Sequence, residues 1–157
     1  MKTIPFNSLS PEALRSKSCV GQNLSHVSLP GRNLRDFDFS GADLSHANLR
    51  GGDLSGANFS GANLTGTNLF AARLQGANFT SADLTGAILE QSDLSQTVLN
   101  STTLKYANCK SANFSGAMLG LTDLTYTCLI NATIEMQQLA QAVLRGTFLP
   151  DGNRPSL

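Results

Sequence analysis

The chain has 157 residues, which is the length of one ordinary domain. Eleven basic and eleven acidic residues cancel to a net charge of zero, and only 14% of the residues are charged. This balance argues against a general nucleic-acid-binding protein, because such proteins use an excess of cations to displace counterions from phosphates. No apolar run approaches the ~20 residues of a membrane-spanning helix, so neither nucleic acid nor membrane is an expected partner.

The chain begins MKTIPFNSLSPEALRSK, and this stretch lacks the hydrophobic region of a secretory signal. We therefore expect a cytoplasmic protein. A signal removed before this starting residue would instead indicate the thylakoid lumen or the periplasm.

The segment Ser10-Pro11-Glu12 is typical of the start of a helix, with a capping hydroxyl, a proline at the first position and an acid in the first turn. We predict a short helix over about 11–17, within an N-terminal cap that occupies residues 1–20. The bulky residues Val27 and Phe37 are expected to fill the space beneath it.

A repeat of five residues follows the predicted cap. Every fifth position from Leu24 to Leu149 carries a large apolar residue or cysteine, and we call these positions the centres. Two residues before each centre, from Ala42 to Ala132, stands only Ala, Gly, Ser or Thr.

A period of five fits neither a straight helix nor a flat strand. The small residue and the centre lie two apart, so they share a face in extended backbone. The simplest solution is a short extended segment followed by a corner, repeated, with two side chains of each unit inside and three outside. Glycines such as Gly41 and Gly61 suit the corner, where a positive φ is required.

Units such as GADLS, GANLT, GANFS and SADLT resemble those of the pentapeptide-repeat family, over about residues 21–150. This resemblance implies an all-β fold: a right-handed quadrilateral parallel β-helix with four units in each coil. Residues 21–150 would make about six to seven coils, and residues 151–157 a C-terminal tail. Phe39, Phe59 and Phe79 are twenty apart and should stack.

Residues 134–146 allow two interpretations. Thr133 and Gly146 could bound a helix, but the period of five continues through Ile134, Leu139 and Leu144. We favour a continuation of the coil.

Three groups of residues invite a chemical interpretation. Cys109 should be a core residue, while Cys128 faces outward, and three cysteines without metal-site spacing indicate no disulfide. His26 and His46 should lie side by side, but their column offers no third metal ligand. Asp53, Arg73 and Asp93 should form an outward column, for which a surface ion-pair ladder is a better interpretation than a glycosidase site. We predict no catalytic site, no cofactor and no bound metal.

Outward apolar residues are concentrated in the second half of the repeat. A possible interaction surface, which we call the outer apolar set, consists of Val98, Tyr106, Met118, Leu121, Tyr126 and Ile130. The outward positions of the repeat are otherwise mostly polar, and in the first half Phe70 is the one large apolar residue among them. A contiguous exposed apolar patch usually marks an interface, although a tail folded back over these residues would also explain them.

The sequence therefore predicts a non-catalytic structural or protein-interaction scaffold. Its partner would be an unidentified protein or a second copy, bound through the C-terminal half. The alternative is a DNA-mimicking modulator of a type II topoisomerase such as gyrase, since some proteins of this family protect gyrase. The acids that precede the centres are spread over three faces, which disfavours the alternative. These acids are Asp38, Asp43, Asp53, Asp83, Asp93 and Asp123.

Overall fold

A computed structural model describes residues 10–155 and shows a chain wound into stacked coils of twenty residues. Parallel β-bridges join the residue before a centre to the residue twenty positions later, from Ser18–Asp38 to Cys128–Phe148, with the exception of Met118. Each straight segment is so short that pairing within the described chain takes the form of isolated bridges rather than extended strands. The predicted β-helix with four units per coil is the observed architecture.

Two kinds of backbone hydrogen bond produce the period of five. Between coils, the amide of a centre and the amide of the following corner both donate to the next coil, as Leu44 N does to Asn63 O at 2.7 Å and His46 N to Thr65 O at 2.8 Å. Within a coil, Ala47 N donates back to Leu44 O at 3.0 Å and closes the corner. A regular unit is therefore a two-residue extended segment and a tight turn.

The corner demands left-handed backbone. Every fifth residue from Gly21 to Asn131 has a φ between 52° and 69°. Glycine adopts this conformation without a steric penalty, whereas other L-residues pay about 1 kcal/mol or more. Bulky side chains nevertheless occupy it at Tyr106, Leu121 and Tyr126.

Where the residue before a centre is Asn or Asp, its side chain closes a second turn. Asp43 Oδ1 accepts from Ser45 N at 3.0 Å, and Asn63 Oδ1 accepts from Thr65 N at 3.1 Å. Coils are also linked here, because Asn63 Nδ2 donates to Asp43 Oδ1 at 3.2 Å. The turn uses an oxygen acceptor, which explains why Asn and Asp recur at this position. Hydrogen bonds from Ser45 hold the pKa of Asp43 below its usual value, with a smaller contribution from the charges of His26 and His46.

The core consists of the centres and the small residues stacked in columns. Phe39, Phe59 and Phe79 stack with ring centroids 5.2 Å and 4.9 Å apart, as the twenty-residue spacing predicts. Hydroxyls at the small position are buried but paired: Thr67 Oγ1 donates to Leu44 O and Thr122 Oγ1 to Leu99 O, both at 2.7 Å. A buried threonine therefore replaces alanine without leaving a polar group unsatisfied.

The helix α1, Pro11–Ser16, lies before the first coil. Ser10 Oγ accepts from Ala13 N at 3.0 Å, and Lys17 ends the helix in a left-handed conformation. Ala13 is buried, and Phe37 is buried with its ring 5.6 Å from that of Phe39. The parts of the predicted cap and tail that fall on residues 1–9 and 156–157 lie outside the described residues.

The predicted continuation of the coil through 134–146 is wrong for one unit. A 3₁₀ helix, Met136–Leu139, replaces the extended segment, and the parallel bridges resume at Asp123–Val143. Gln138 causes the change: its Oε1 accepts from Glu135 N at 2.8 Å and stabilises the turn, while its own backbone N donates to Glu135 O. Leu139 is still buried, so the core keeps its period while the backbone leaves the ladder.

Within residues 10–155, no helix has the length and apolar character needed to cross a membrane.

The phenylalanine stack predicts a large effect of truncation at its middle ring. Phe59→Ala should lower the free energy of unfolding by about 3–5 kcal/mol, because the rigid coils cannot close the cavity. Urea unfolding measures this, with Ser60→Ala on the outer side of the same unit as the control. A loss below about 1 kcal/mol for Phe59→Ala would show that the coils relax around the cavity.

The carboxylate turns predict a loss of stability in acid. A depressed pKa means that Asp43 stabilises the fold above its unfolded pKa of about 3.9, and that this contribution is lost as the pH falls through the lower, folded pKa. Asp43→Asn keeps the acceptor oxygen, so we expect a smaller drop in Tm between pH 6 and pH 2.5. Asn48→Asp, which adds a carboxylate to an equivalent turn, should enlarge that drop. Equal drops in both variants would contradict this.

Candidate functional site

Met118 and Leu121 are the most prominent of the predicted surface residues. Val98 and Met118 occupy successive coils of one face and are joined by a β-bridge. Met118 is 54% exposed and Leu121, at the corner that ends this face, is 70% exposed, whereas Val98 is half-buried. The tail up to Pro155 therefore leaves Met118 and Leu121 uncovered.

Tyr106 and Tyr126 form a second exposed feature at the next corner. Their rings stack with centroids 5.3 Å apart and an interplanar angle of 11°, as the twenty-residue spacing predicts. The Tyr126 ring also lies over Gly146, where a Cβ would come within 2.5 Å of the ring carbons. The sequence signal for this contact is a glycine twenty residues after the tyrosine.

These two features do not form one continuous apolar patch. The face between Leu121 and Tyr126 carries an ion pair, with Lys105 Nζ 3.1 Å from Asp123 Oδ2. Val143 follows Asp123 on the same face and is exposed, so this face becomes apolar only at its last coil. Ile130 lies beyond the tyrosine corner and is half-buried.

The displaced unit leaves a gap in the backbone ladder beside Met118. In the coil before it, the amides of Gln96, Leu99 and Ser101 all donate to the next coil. The equivalent amides, at Gly116, Leu119 and Leu121, donate to no acceptor in the described part of the chain. An unpaired amide of this kind costs about 1–3 kcal/mol when water cannot reach it.

The carbonyl side of the same gap is filled by a side chain. Gln138 Nε2 donates to Ala117 O at 2.7 Å and to Phe114 O at 2.9 Å. In a regular coil the backbone amide of residue 138 would reach Ala117 O, as Val98 N reaches Ala77 O. The backbone carbonyls at this gap thus have a hydrogen-bond donor, whereas the backbone amides have no acceptor in the described part of the chain.

Met136 is an exposed apolar residue that the sequence analysis did not single out. It belongs to the displaced unit, is exposed, and follows Gly116 by twenty residues. Together with Ile134, Leu149, Pro150 and Asp151 it lines a cavity of about 410 Å³ at the C-terminal end. Counting by five places residue 136 at an outward corner, so the sequence signal for it is an apolar residue at a corner position.

His26 and His46 stack as predicted, with ring centroids 5.2 Å apart. The His46 ring covers Gly66, where a Cβ would lie 2.6 Å from Nδ1. Tyr126 packs on Gly146 in the same way, four coils further along the same corner column. Among residues 10–155 no group of three or more potential ligands has metal-binding geometry. Packing against the corner accounts for the histidine pair.

The predicted ion-pair ladder of Asp53, Arg73 and Asp93 is wrong. The three residues do follow one another through parallel bridges. However, Asp53 pairs with Arg35 at 3.4 Å, and Asp93 accepts from Gln75 Nε2 at 2.6 Å. Within the described residues Arg73 forms no ion pair with either acid, because shorter diagonal contacts across one coil satisfy the carboxylates.

These carboxylates also lack the electrostatics of a general acid. Burial acts to raise the pKa values of Asp53 and Asp93, but hydrogen bonds from Ser55 and Ser95 outweigh it and leave both pKa values lowered. A general acid near neutral pH requires the opposite shift.

The cysteines occupy the predicted kinds of position. Cys109 is fully buried, and burial raises the pKa of its thiol well above the usual value. Cys128 is half-buried on the outer side, and neither cysteine forms a disulfide among the described residues. A raised pKa disfavours the reactive thiolate at Cys109.

Comparison with known proteins agrees with this architecture. The family model for pentapeptide repeats matches residues 23–61 and 62–100, with eight copies of the repeat. The comparison with curated protein sequences finds no match.

Solved structures with a similar fold come from plants and bacteria. A pentapeptide repeat protein from the thylakoid lumen of Arabidopsis thaliana is 28% identical with a TM-score of 0.58, covering 95% of this chain and 93% of that chain. One from the cyanobacterium Cyanothece 51142 is 24% identical with a TM-score of 0.51, covering 92% and 95%. A plasmid-mediated fluoroquinolone resistance protein is 19% identical with a TM-score of 0.51, covering 85% and 80%.

The family match, these structural likenesses and the unbroken period of centres agree, and the chain belongs to the pentapeptide-repeat family, whose fold is a right-handed β-helix.

Proposed function

We propose that this protein is a non-catalytic scaffold that binds a protein partner, or a second copy of itself, through its C-terminal half. The outer apolar set forms the contact surface, with Met118 and Leu121 at its centre and Tyr106 and Tyr126 at the next corner. Val98 and Ile130 lie at its margins, because both are half-buried.

The gap in the backbone ladder is the observation that supports this proposal most. It combines open amides at Gly116, Leu119 and Leu121 with the exposed apolar side chains of Met118 and Leu121. Unpaired strand edges and exposed apolar surface are both unfavourable in an isolated protein, and a bound partner can remove both.

The conformation of the corner residues gives independent support. Leu121, Tyr106 and Tyr126 adopt left-handed backbone with φ near 57–58° while remaining exposed. Glycine at these corners would avoid both the steric penalty and the exposed apolar surface.

The carboxyl groups lack the electrostatics of a general acid, which supports the proposed non-catalytic role. Every aspartate with a shifted pKa is shifted downward, as at Asp38, Asp93 and Asp123. None of them is held protonated for use as a general acid. Pentapeptide-repeat proteins are, in general, structural repeat proteins.

The DNA-mimicking function is the less favoured alternative, because aspartates of this chain are neutralised by ion pairs. A mimic of the phosphate backbone needs an uncompensated row of negative charge. Here Asp53 pairs with Arg35 and Asp123 with Lys105, and the net charge is zero. Inhibition of gyrase supercoiling at micromolar protein concentration would favour the alternative instead.

We also propose that the repeat comprises six to seven coils within 21–150, closed at its start by α1. The burial of Ala13, Val27 and Phe37 supports this role for the helix. For the compartment, we propose the cytoplasm, with the thylakoid lumen or the periplasm as the alternative. A protein with a similar fold comes from the thylakoid lumen.

Introducing charge at the centre of the surface should abolish the interaction. We expect the double variant Met118→Lys, Leu121→Lys to lose any self-association seen in sedimentation velocity and any partner retained from native extract. The reason is that two lysines would have to be buried without counter-charges.

The matched control places the same substitutions two coils earlier. Asn78→Lys and Ser81→Lys occupy the same outer column and the same left-handed corner as Met118 and Leu121. This control should bind like the wild type. Loss of binding in both double variants, or in neither, would contradict the proposed surface.

The proposed cap predicts a second, separate effect. Ala13→Lys should lower the free energy of unfolding by about 1–3 kcal/mol, because Ala13 is buried between the helix and the first coil. Ser16→Lys, on the exposed side of the helix, should change it by less than about 0.5 kcal/mol. Equal effects of the two in chemical unfolding would argue against a capping role.

A further inference from the structure

The first half of the repeat carries one outward aromatic residue, Phe70, and the structure places a cation on it. Arg50 precedes Phe70 by one coil, and its guanidinium carbon lies 4.9 Å from the centroid of the Phe70 ring. A stacked guanidinium keeps its N–H donors in its own plane, where they are free to bind a planar acceptor.

The guanidinium donors of Arg50 have no acceptor within the described part of the chain. Its guanidinium appears in no ion pair and in no hydrogen bond, although Arg35, Lys17 and Lys105 each have a carboxylate partner. The nearest acid in its own column is Glu90, two coils later. That carboxylate accepts from Asn108 Nδ2 at 3.0 Å, on the far side from Arg50.

Arg50 and Phe70 line a small cavity together with Asn68 and Ile88. Its volume is about 260 Å³. The Oδ1 of Asn68 accepts from Phe70 N at 3.0 Å, so its Nδ2 is a second donor without an acceptor in the described chain. Ile88 is exposed to 39% and forms an apolar wall.

The cavity therefore combines apolar walls with one cation and one amide donor, and no acidic residue of the described chain lines it. An occupant that matches it has an apolar ring and an anionic acceptor. The volume lies just below the ~300 Å³ at which pockets for drug-sized ligands begin, which corresponds to one ring system.

We infer that Arg50, Asn68, Phe70 and Ile88 form a binding site for a small aromatic carboxylate. The carboxylate accepts from the guanidinium of Arg50 in a bidentate arrangement and from Asn68 Nδ2. The ring packs between Phe70 and Ile88. This site lies outside the outer apolar set, and it does not depend on the scaffold function proposed above.

The test uses 2-naphthoate as the probe and follows the amide resonances of the isotopically labelled full chain by NMR. We expect chemical-shift changes centred on residues 50, 68, 70 and 88, with a Kd on the order of 1 mM for a ligand of this size. The neutral analogue 2-naphthamide should bind at least tenfold more weakly to the same protein. Absence of shifts at these residues, or equal affinity for the two compounds, would overturn the inference.

Two variants separate the site from general attraction to positive charge. Arg50→Gln, at an exposed position, should weaken binding of 2-naphthoate by roughly 10- to 100-fold, because a charge-assisted hydrogen bond is lost. Arg154→Gln is the matched control, since Arg154 also stacks on a phenylalanine, 4.5 Å from the Phe148 centroid, but lies outside this cavity. Unchanged binding by Arg50→Gln, or an equal loss with Arg154→Gln, would likewise reject the site.

Discussion

The hydrogen bond between one coil and the next, twenty residues along the chain, is the interaction on which the rest of the molecule depends. Because Leu44 N must meet Asn63 O and Leu64 N must meet Asp83 O, every coil has to contain the same number of residues. The left-handed corners turn the chain so that four units of five residues complete one coil of twenty. Core columns, side-chain turns and stacked rings all follow from the same register, because each repeats at the same height in successive coils.

The sequence allowed the regular part of this structure to be predicted well, since regularity is what a period encodes. The centres, the phenylalanine stack and the paired rings of His26 and His46 all follow from counting by five and by twenty. The displaced unit could not be found in this way. Ile134 and Leu139 keep the period, and the departure depends on where the side chain of Gln138 finds its partners, which is a competition between hydrogen bonds of similar strength. The predicted ion pairs were wrong for a related reason. Counting by twenty pairs only residues in the same column, whereas the long side chain of Arg35 reaches Asp53 in a neighbouring column.

Both proposed contact sites lie where an apolar residue occupies an outward position that is usually polar, but the two sites differ in chemistry. At Met118 and Leu121 the departure accompanies a backbone defect, so the surface offers open amides beside apolar side chains. At Phe70 the backbone is regular, and the aromatic ring instead supports a cation that lacks a counter-ion in the described chain. The first arrangement favours contact with a polypeptide, whereas the second favours a small anion with an apolar body. A rigid rod can carry both, since neither site requires the coils beneath it to move.

The side-chain bonds of Gln138 have a consequence for how this chain can change in length. Elsewhere in the repeat, one inserted or deleted residue would shift every following centre out of the core, because the coils on both sides hold that unit in register. Between Thr133 and Val143 the unit is anchored through Leu139 and one glutamine amide rather than through the backbone ladder. This is therefore the place within the described repeat where evolution or design could lengthen the chain, and add a loop beside the apolar surface, without disturbing the coils that precede it.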